Sequence, residues 1–254
     1  MRKTIISNFV QFSYFCLSNG MRTEFNSFYN DSMPDYVSYR RTVQGNLTSR
    51  VNLLLFIREF ARIHGIQDAY ALEFGVLNGE SLIECLRILR GPVTRVYGFD
   101  SFEGLPDFDT HDSASAPLFD AFTPGLFGGQ SRPDEVRRRV SEATGSDLSA
   151  ITLYQGYYDQ ILVGFDWSQL TGFPLLVHLD CDLYSSTKVV LDALVNVVLD
   201  GTWLLFDDFW AYRGSPLHGQ QKALADWLTK NPQLGVNEYC NYGGTGKAFI
   251  TYRK

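Results

Sequence analysis

Two pairs of aspartates each follow a short apolar run in this 254-residue chain: Asp180 and Asp182 close PLLVHLDCD, and Asp207 and Asp208 close TWLLFDD. Such runs suit buried strands of a parallel sheet, and open α/β sheets place their ligands at the carboxyl ends of those strands. Several carboxylates converging at one edge repel each other in the absence of a cation. An all-oxygen donor set without His or Cys points to Mg²⁺ before Zn²⁺, with Asp180 and Asp182 on one side and Asp207 and Asp208 on the other as the candidate ligands. Independently capped, solvated aspartates are the competing reading, because spacing does not reveal ligand geometry.

A second chemical stretch is AYALEFGVLNGES, from Ala69 to Ser81. Ala69, Ala71, Leu72 and Phe74 suit a strand buried on both faces, and Leu82, Ile83, Leu86 and Ile88 begin a helical stripe. Gly75 and Gly79 let the turn between them lie close against a ligand. No Lys-Ser or Lys-Thr follows Gly79, which removes the P-loop, and the Gly-x-x-x-Gly spacing is not the dinucleotide fingerprint. Glu73 would repel a pyrophosphate but suits a ligand with cationic groups, such as the sulfonium and ammonium of S-adenosylmethionine (SAM). The residues expected around that ligand are Glu73, Gly75, Gly79 and Ser81. A tight strand-to-helix turn with a surface glutamate is the competing reading.

The next strand, Thr94 to Phe99, ends at Asp100 in VYGFDSFEGLP. An acid there is placed to accept hydrogen bonds from ribose hydroxyls, with Ser101 beside it, although an Asx-turn or helix-cap aspartate has the same sequence signature. Gly156 and Tyr157 follow a third strand, Ile151 to Tyr154; there Gly156 would let adenine approach the backbone and Tyr157 would stack on it or fill the core. Asp180 is also expected beside the cofactor. His218, ahead of a helix from Gly219 to Leu228, is a candidate base at the rim, although a lone histidine more often has another role.

The remaining elements position these groups. Val51, Leu54, Leu55, Ile57 and Phe60 give a helix face between Asn46 and His64, stopped by Gly65. Residues 102–130 form a long loop read as a lid, with His111 inside it. Ser131-Arg132-Pro133-Asp134 reads as an N-cap with proline in the first turn, and Arg137 to Arg139 as a solvated face. Ser185 or Ser186 is expected to cap the helix running to Val198. Two last strands, near Val236 to Tyr239 and Lys247 to Tyr252, read as a closing β-hairpin. Residues 1–45 form an arm of helical and aromatic character, in which Tyr36, Tyr39 and Arg40 cover a pocket or dock on a second subunit; residues 46–254 form one α/β domain.

Composition bounds the class of function. With 45% hydrophobic residues the chain can bury one large core, and a net charge of −6 argues against nucleic-acid or anionic-membrane partners. Four dispersed cysteines without Cys-x-x-Cys read as reduced thiols in a cytoplasmic protein. Arg2 and Lys3 ahead of Thr4 to Leu17 have a signal-peptide cast, but Asn8, Gln11 and Ser13 interrupt the apolar run.

Five alternating βα units and a terminal hairpin look like a class I methyltransferase. Within that class, LEFGVLNGES, GFDSFEGLP, HLDCDLYSST and FDDF together resemble the macrocin O-methyltransferase family, which includes sugar O-methyltransferases of macrolide and aminocoumarin pathways. The resemblance runs from about Asn46 onward. It implies a doubly wound, seven-stranded, mostly parallel Rossmann-like α/β sheet. It also implies SAM at Glu73, Gly75 and Asp100, and Mg²⁺ at Asp180, Asp207 and Asp208. Cys181 stands where the family often has glycine. The expected reaction is methyl transfer to a hydroxyl of a sugar-like or catechol-like small molecule, with Asp180 or His218 as base, in a dimer. An NAD-dependent oxidoreductase and a non-catalytic SAM-binding protein are the alternatives.

Overall fold

In the computed structural model, residues 47–118 and 122–254 are described. The arm at 1–45, with Tyr36, Tyr39, Arg40 and Cys16, lies outside them. Ser49 opens the first helix, α1 (Arg50–Ile63), by accepting from the Asn52 N–H at 3.1 Å. Leu53, Leu54, Ile57 and Ala61 form its buried stripe. Each leucine or isoleucine so buried contributes about 2 kcal/mol.

The sheet is built from β1 (Leu47–Thr48), β2 (Ala69–Phe74), β3 (Val93–Asp100), β4 (Ile151–Gln155), β5 (Phe173–Leu179), β6 (Trp203–Phe206), β7 (Leu234–Tyr242) and β8 (Gly246–Arg253). Their spatial order is β1-β7-β8-β6-β5-β2-β3-β4. Strands β4, β3, β2, β5 and β6 run parallel, and β8 and β7 close the sheet as the expected antiparallel hairpin. The seven strands read from the sequence are all present, and β1 adds a two-residue edge.

Period-two alternation divides the strand side chains between two apolar layers. Leu72, Phe74, Val177, Leu179, Leu204 and Phe206 pack on α5 (Tyr158–Ile161), α6 (Tyr184–Ala193) and α7 (Gly219–Lys230). Ala69, Ala71, Leu176, Trp203 and Leu205 pack on α1, α2 (Glu80–Ile88) and α4 (Pro133–Thr144). Adjacent β2 and β5 send their chains to opposite ends of the sheet, and the crevice between their carboxyl ends is the ligand position of doubly wound folds.

Several local expectations change. The 102–130 loop contains a short helix, α3 (Thr110–Ser115), whose N-cap Asp109 accepts from the Asp112 N–H at 2.8 Å. Ser131 does not cap α4: Arg132 occupies the cap position and the Ser131 hydroxyl donates to the Leu77 carbonyl at 2.6 Å. Neither Ser185 nor Ser186 caps α6, which starts one residue earlier, at Tyr184, and ends at Ala193. The arginine face is tied down rather than merely solvated, since Arg137 donates to the carbonyls of Leu148 and Ile151, and Arg139 to that of Asn78. Among the described residues no helix is long and apolar enough to cross a membrane.

Candidate active site

The turns after β2, β3, β4 and β5 enclose a cavity of about 430 Å³. Gly75, Asp100, Ser101, Gly156, Tyr157 and Asp180 line it, as expected from the sequence. Gly75 is required there: its φ is +96°, and a Cβ would meet the Asp180 carbonyl oxygen at 1.8 Å. Asp100 organises the turn, its Oδ2 accepting from the Val76 and Leu77 N–H groups at 2.7 and 2.9 Å and its Oδ1 from Phe102 at 2.7 Å. The Ser101 hydroxyl closes the next turn on the Gly104 carbonyl at 2.9 Å. Leu77, Phe102 and Asp182 also line the cavity with positive φ, a costly conformation for non-glycine residues that concentrates at functional sites.

Three expected cofactor residues lie elsewhere. Glu73 occupies an inward position on β2, where alternation turns it toward α1 and α2; it is 3% exposed and hydrogen-bonded by Ser81. Gly79 faces Val136 and Val140 of α4. Glu73, Gly79 and Ser81 therefore build the turn from behind and do not line the cavity. His218 does not line it either, because its Nδ1 is engaged with the Ser115 hydroxyl at 2.8 Å.

The aspartates do converge, but not as the expected trio. Asp180 belongs to two groups whose ligand atoms lie within 4.8 Å of one another, one with His178 and Asp207 and the other with Asp182 and Asp208. Burial and the Asp207 charge push Asp180 up to about 8, against the pull of His178. Burial also carries Asp208 to about 6, although a hydrogen bond with Asp182 pulls it down; burial and the Asp208 and Asp180 charges drive Asp182 well above the carboxylate range. Asp207 behaves oppositely. Burial would raise it, but the His178 hydrogen bond and charge, with Arg50, hold it at about 2. His178 rises to about 10 against its own burial through Asp207 and Glu73.

His178 is thus absent from the candidate ligands read from the sequence, and Asp182, named there beside Asp180, is absent from the set that the resemblance implies. His178 precedes Asp180 by two positions at the end of β5, which is its signal in the sequence, whereas Asp182 lies past the end of that strand with φ +58°. Gln220 of α7 carries no such signal, yet it is fully buried and holds the ends of β5 and β6 together. Cys85 and Cys181 are buried free thiols, and Cys240 is half-buried.

A doubly wound sheet whose switch-point crevice joins a glycine turn, an acid at the tip of β3 and a carboxylate cluster defines a Rossmann-like α/β fold with its ligand cavity at the switch point. The macrocin-O-methyltransferase (TylF) family model matches residues 50–226, and the chain belongs to that family. It is a methyltransferase, which sets aside the oxidoreductase and the non-catalytic reading. None of the curated proteins matches the chain. Among solved structures, the O-methyltransferase NovP is similar at TM-score 0.60 and 19% identity, covering 80% of each chain. CalS11, a calicheamicin methyltransferase, is similar at 0.57 and 19%, covering 92% of this chain and 94% of its own. Both share the fold.

Proposed function

We propose that this methyltransferase moves the methyl group of SAM to a hydroxyl of a sugar or glycosylated natural product, with Mg²⁺ at the Asp180 cluster. The observation that carries the reading is the double membership of Asp180, which lines the same cavity as Gly75 and Asp100 and also belongs to both carboxylate groups. Donor and acceptor would thus meet at one side chain. CalS11 is described as a TDP-rhamnose 3'-O-methyltransferase, which favours a sugar acceptor here.

The donor set fits a hard cation: oxygen ligands dominate, and burial, with the charges of neighbouring carboxylates, raises Asp180, Asp182 and Asp208 above the usual carboxylate range. Asp180, Asp207 and Asp208, with Asp182, would hold it. A bound Mg²⁺ supplies charge that lowers the pKa of a hydroxyl and fixes its direction.

The chain's own residues do the rest. Asp100, anchored by three backbone N–H groups, lines the cavity where it would accept from a ribose hydroxyl, and Tyr157 beside Gly156 would stack on adenine. Transfer would break the methyl C–S bond as the C–O bond forms, releasing the neutral thioether, and Asp180 would take the hydroxyl proton. Asp180 is preferred to His218 as the base because it lines the cavity. Residues 102–118 and 122–130 act as the lid that excludes water.

Calorimetric titration with SAM, with Mg²⁺ or chelator and with NAD as control, tests the donor and the cation. SAM binding followed by Mg²⁺-dependent turnover on sugar and phenol acceptors is expected. Absence of SAM binding would overturn the reading of the cavity.

A further inference from the structure

Behind the cavity lies a buried Glu73–His178 pair that methyl transfer as described above does not use, and it leads to Asp207. Glu73 of β2 and His178 of β5 are register partners, and His178 pairs in turn with Leu205 of β6. Asp207 follows β6, two residues after Leu205, and its carboxylate groups with His178 and Asp180, while that of adjacent Asp208 groups with Asp180 and Asp182. His178 stands between two carboxylates: its Nε2 is 3.5 Å from Asp207 Oδ1 and its Nδ1 3.9 Å from Glu73 Oε2. The His178 and Glu73 side chains are only 5% and 4% exposed. Ser81 donates to Glu73 Oε1 and so holds the outer end of the pair.

A second brace reaches Asp207 from α1. Arg50 Nε donates to Glu84 at 2.8 Å, and Arg50 Nη1 lies 3.9 Å from Asp207 Oδ1. Both cations meet the same oxygen, so rotation of the carboxylate is restrained from two directions. Among the described residues, His178 and Arg50 are the cations that pair with any of the four aspartates, and both pair with Asp207. Buried ion pairs of this kind are seldom the most stable filling for a core, and apolar residues of similar volume often do as well or better. Their position directly behind a cation cluster supplies another reason for them.

We propose that His178, itself held by Glu73, is a positioning residue that fixes the Asp207 carboxylate for cation binding, with Arg50 as the second brace. The role requires that the cluster take a cation, as proposed above. Outer partners of metal ligands orient those ligands, and their loss typically weakens metal affinity about 10- to 100-fold.

Mn²⁺ is the probe, followed by its electron paramagnetic resonance signal on the full chain without SAM or acceptor. His178→Leu is expected to weaken Mn²⁺ binding by about 10- to 100-fold. His178→Gln, which can place an amide N–H near the Nε2 position, is expected to recover most of that loss. SAM affinity measured with chelator is expected to stay at the wild-type level in both, because His178 does not line the cavity. Should His178→Leu fail to fold, Glu73→Gln carries the test, with weaker Mn²⁺ binding and unchanged SAM binding expected. Wild-type Mn²⁺ binding retained in full by His178→Leu, or by Glu73→Gln in its place, would overturn the positioning role alone. No Mn²⁺ binding by the wild type would overturn the cation reading and the positioning role with it, while SAM binding would still stand.

Discussion

Gln220 spans the two strand ends that carry the aspartates: its side-chain oxygen accepts from the Asp208 N–H at 3.0 Å, and its amide donates to the Leu179 carbonyl at 2.9 Å. The residue is fully buried, so neither bond has water as a substitute. Gln220→Leu strands a donor and an acceptor. It is expected to cost about 1 to 3 kcal/mol, read as a lower midpoint in chemical denaturation at unchanged slope. A midpoint equal to wild type would show that the two strand ends hold without it.

Asp100 does two jobs at once, ordering the turn after β2 and facing the cavity. Asp100→Ala removes charge-assisted bonds to three N–H groups, and a stability loss of about 2 to 3 kcal/mol is expected. Asp100→Asn retains acceptor oxygen for part of this set and is expected to fold, with SAM affinity about tenfold weaker from one lost charge-assisted bond of about 1.4 kcal/mol. Wild-type SAM affinity in the asparagine variant would confine Asp100 to the turn.

The short helix α3 is tied to α6 by Asp112, whose Oδ1 accepts from the Tyr184 N–H at 3.0 Å. Leu183 offers α6 no side-chain cap, so Asp112 supplies one from a distant part of the chain. Asp112→Ala is expected to cost about 1 kcal/mol, as loss of an N-cap does. Hydrogen exchange should speed up both at Tyr184 to Thr187 and across 102–118. Faster exchange at the first site alone would detach the lid from this contact.

Metal-free stability should depend on pH with a definite sign. Asp180 and Asp208 titrate at about 8 and about 6 in the folded chain, against about 4 in an unfolded one. Raised values mean that their contribution is present below about pH 4 and lost as pH climbs through 6 and 8. His178, raised to about 10, adds a loss of the same sign that begins above about 6.5. Thermal melts in chelator are therefore expected to fall from pH 6 to 8. Mg²⁺ competes with the protons, so its stabilisation should grow over that range, to about 2.7 kcal/mol at a hundredfold excess over Kd. A flat or rising midpoint in chelator would contradict the buried cluster.

Much of this site was legible as positions along the chain. Asp100, Asp180, Asp207 and Asp208 follow apolar runs that had to be strands, and a parallel strand order brings their carboxyl ends to one edge. The caps were less legible: Ser131 is a good capping residue whose hydroxyl donates to the Leu77 carbonyl, and Asp112, from a distant part of the chain, serves the start of α6 in place of Ser185 or Ser186. Local propensity loses to such contacts because each is worth as much as a cap.

Glu73 shows where sequence reasoning stops. Its place before Gly75 suggested a ligand contact, and it is instead buried against His178 on the far face. Composition, apolar periodicity and turn glycines determined by themselves that this is an α/β domain with carboxylates at its ligand edge, because burial and backbone sterics act over a few residues. Which face each carboxylate takes, and which cation or amide holds it, was decided only by the tertiary structure. Neighbouring strand residues point to opposite faces, and the partners Glu73, His178, Asp207 and Gln220 meet through strand register and helix docking across more than a hundred residues of chain.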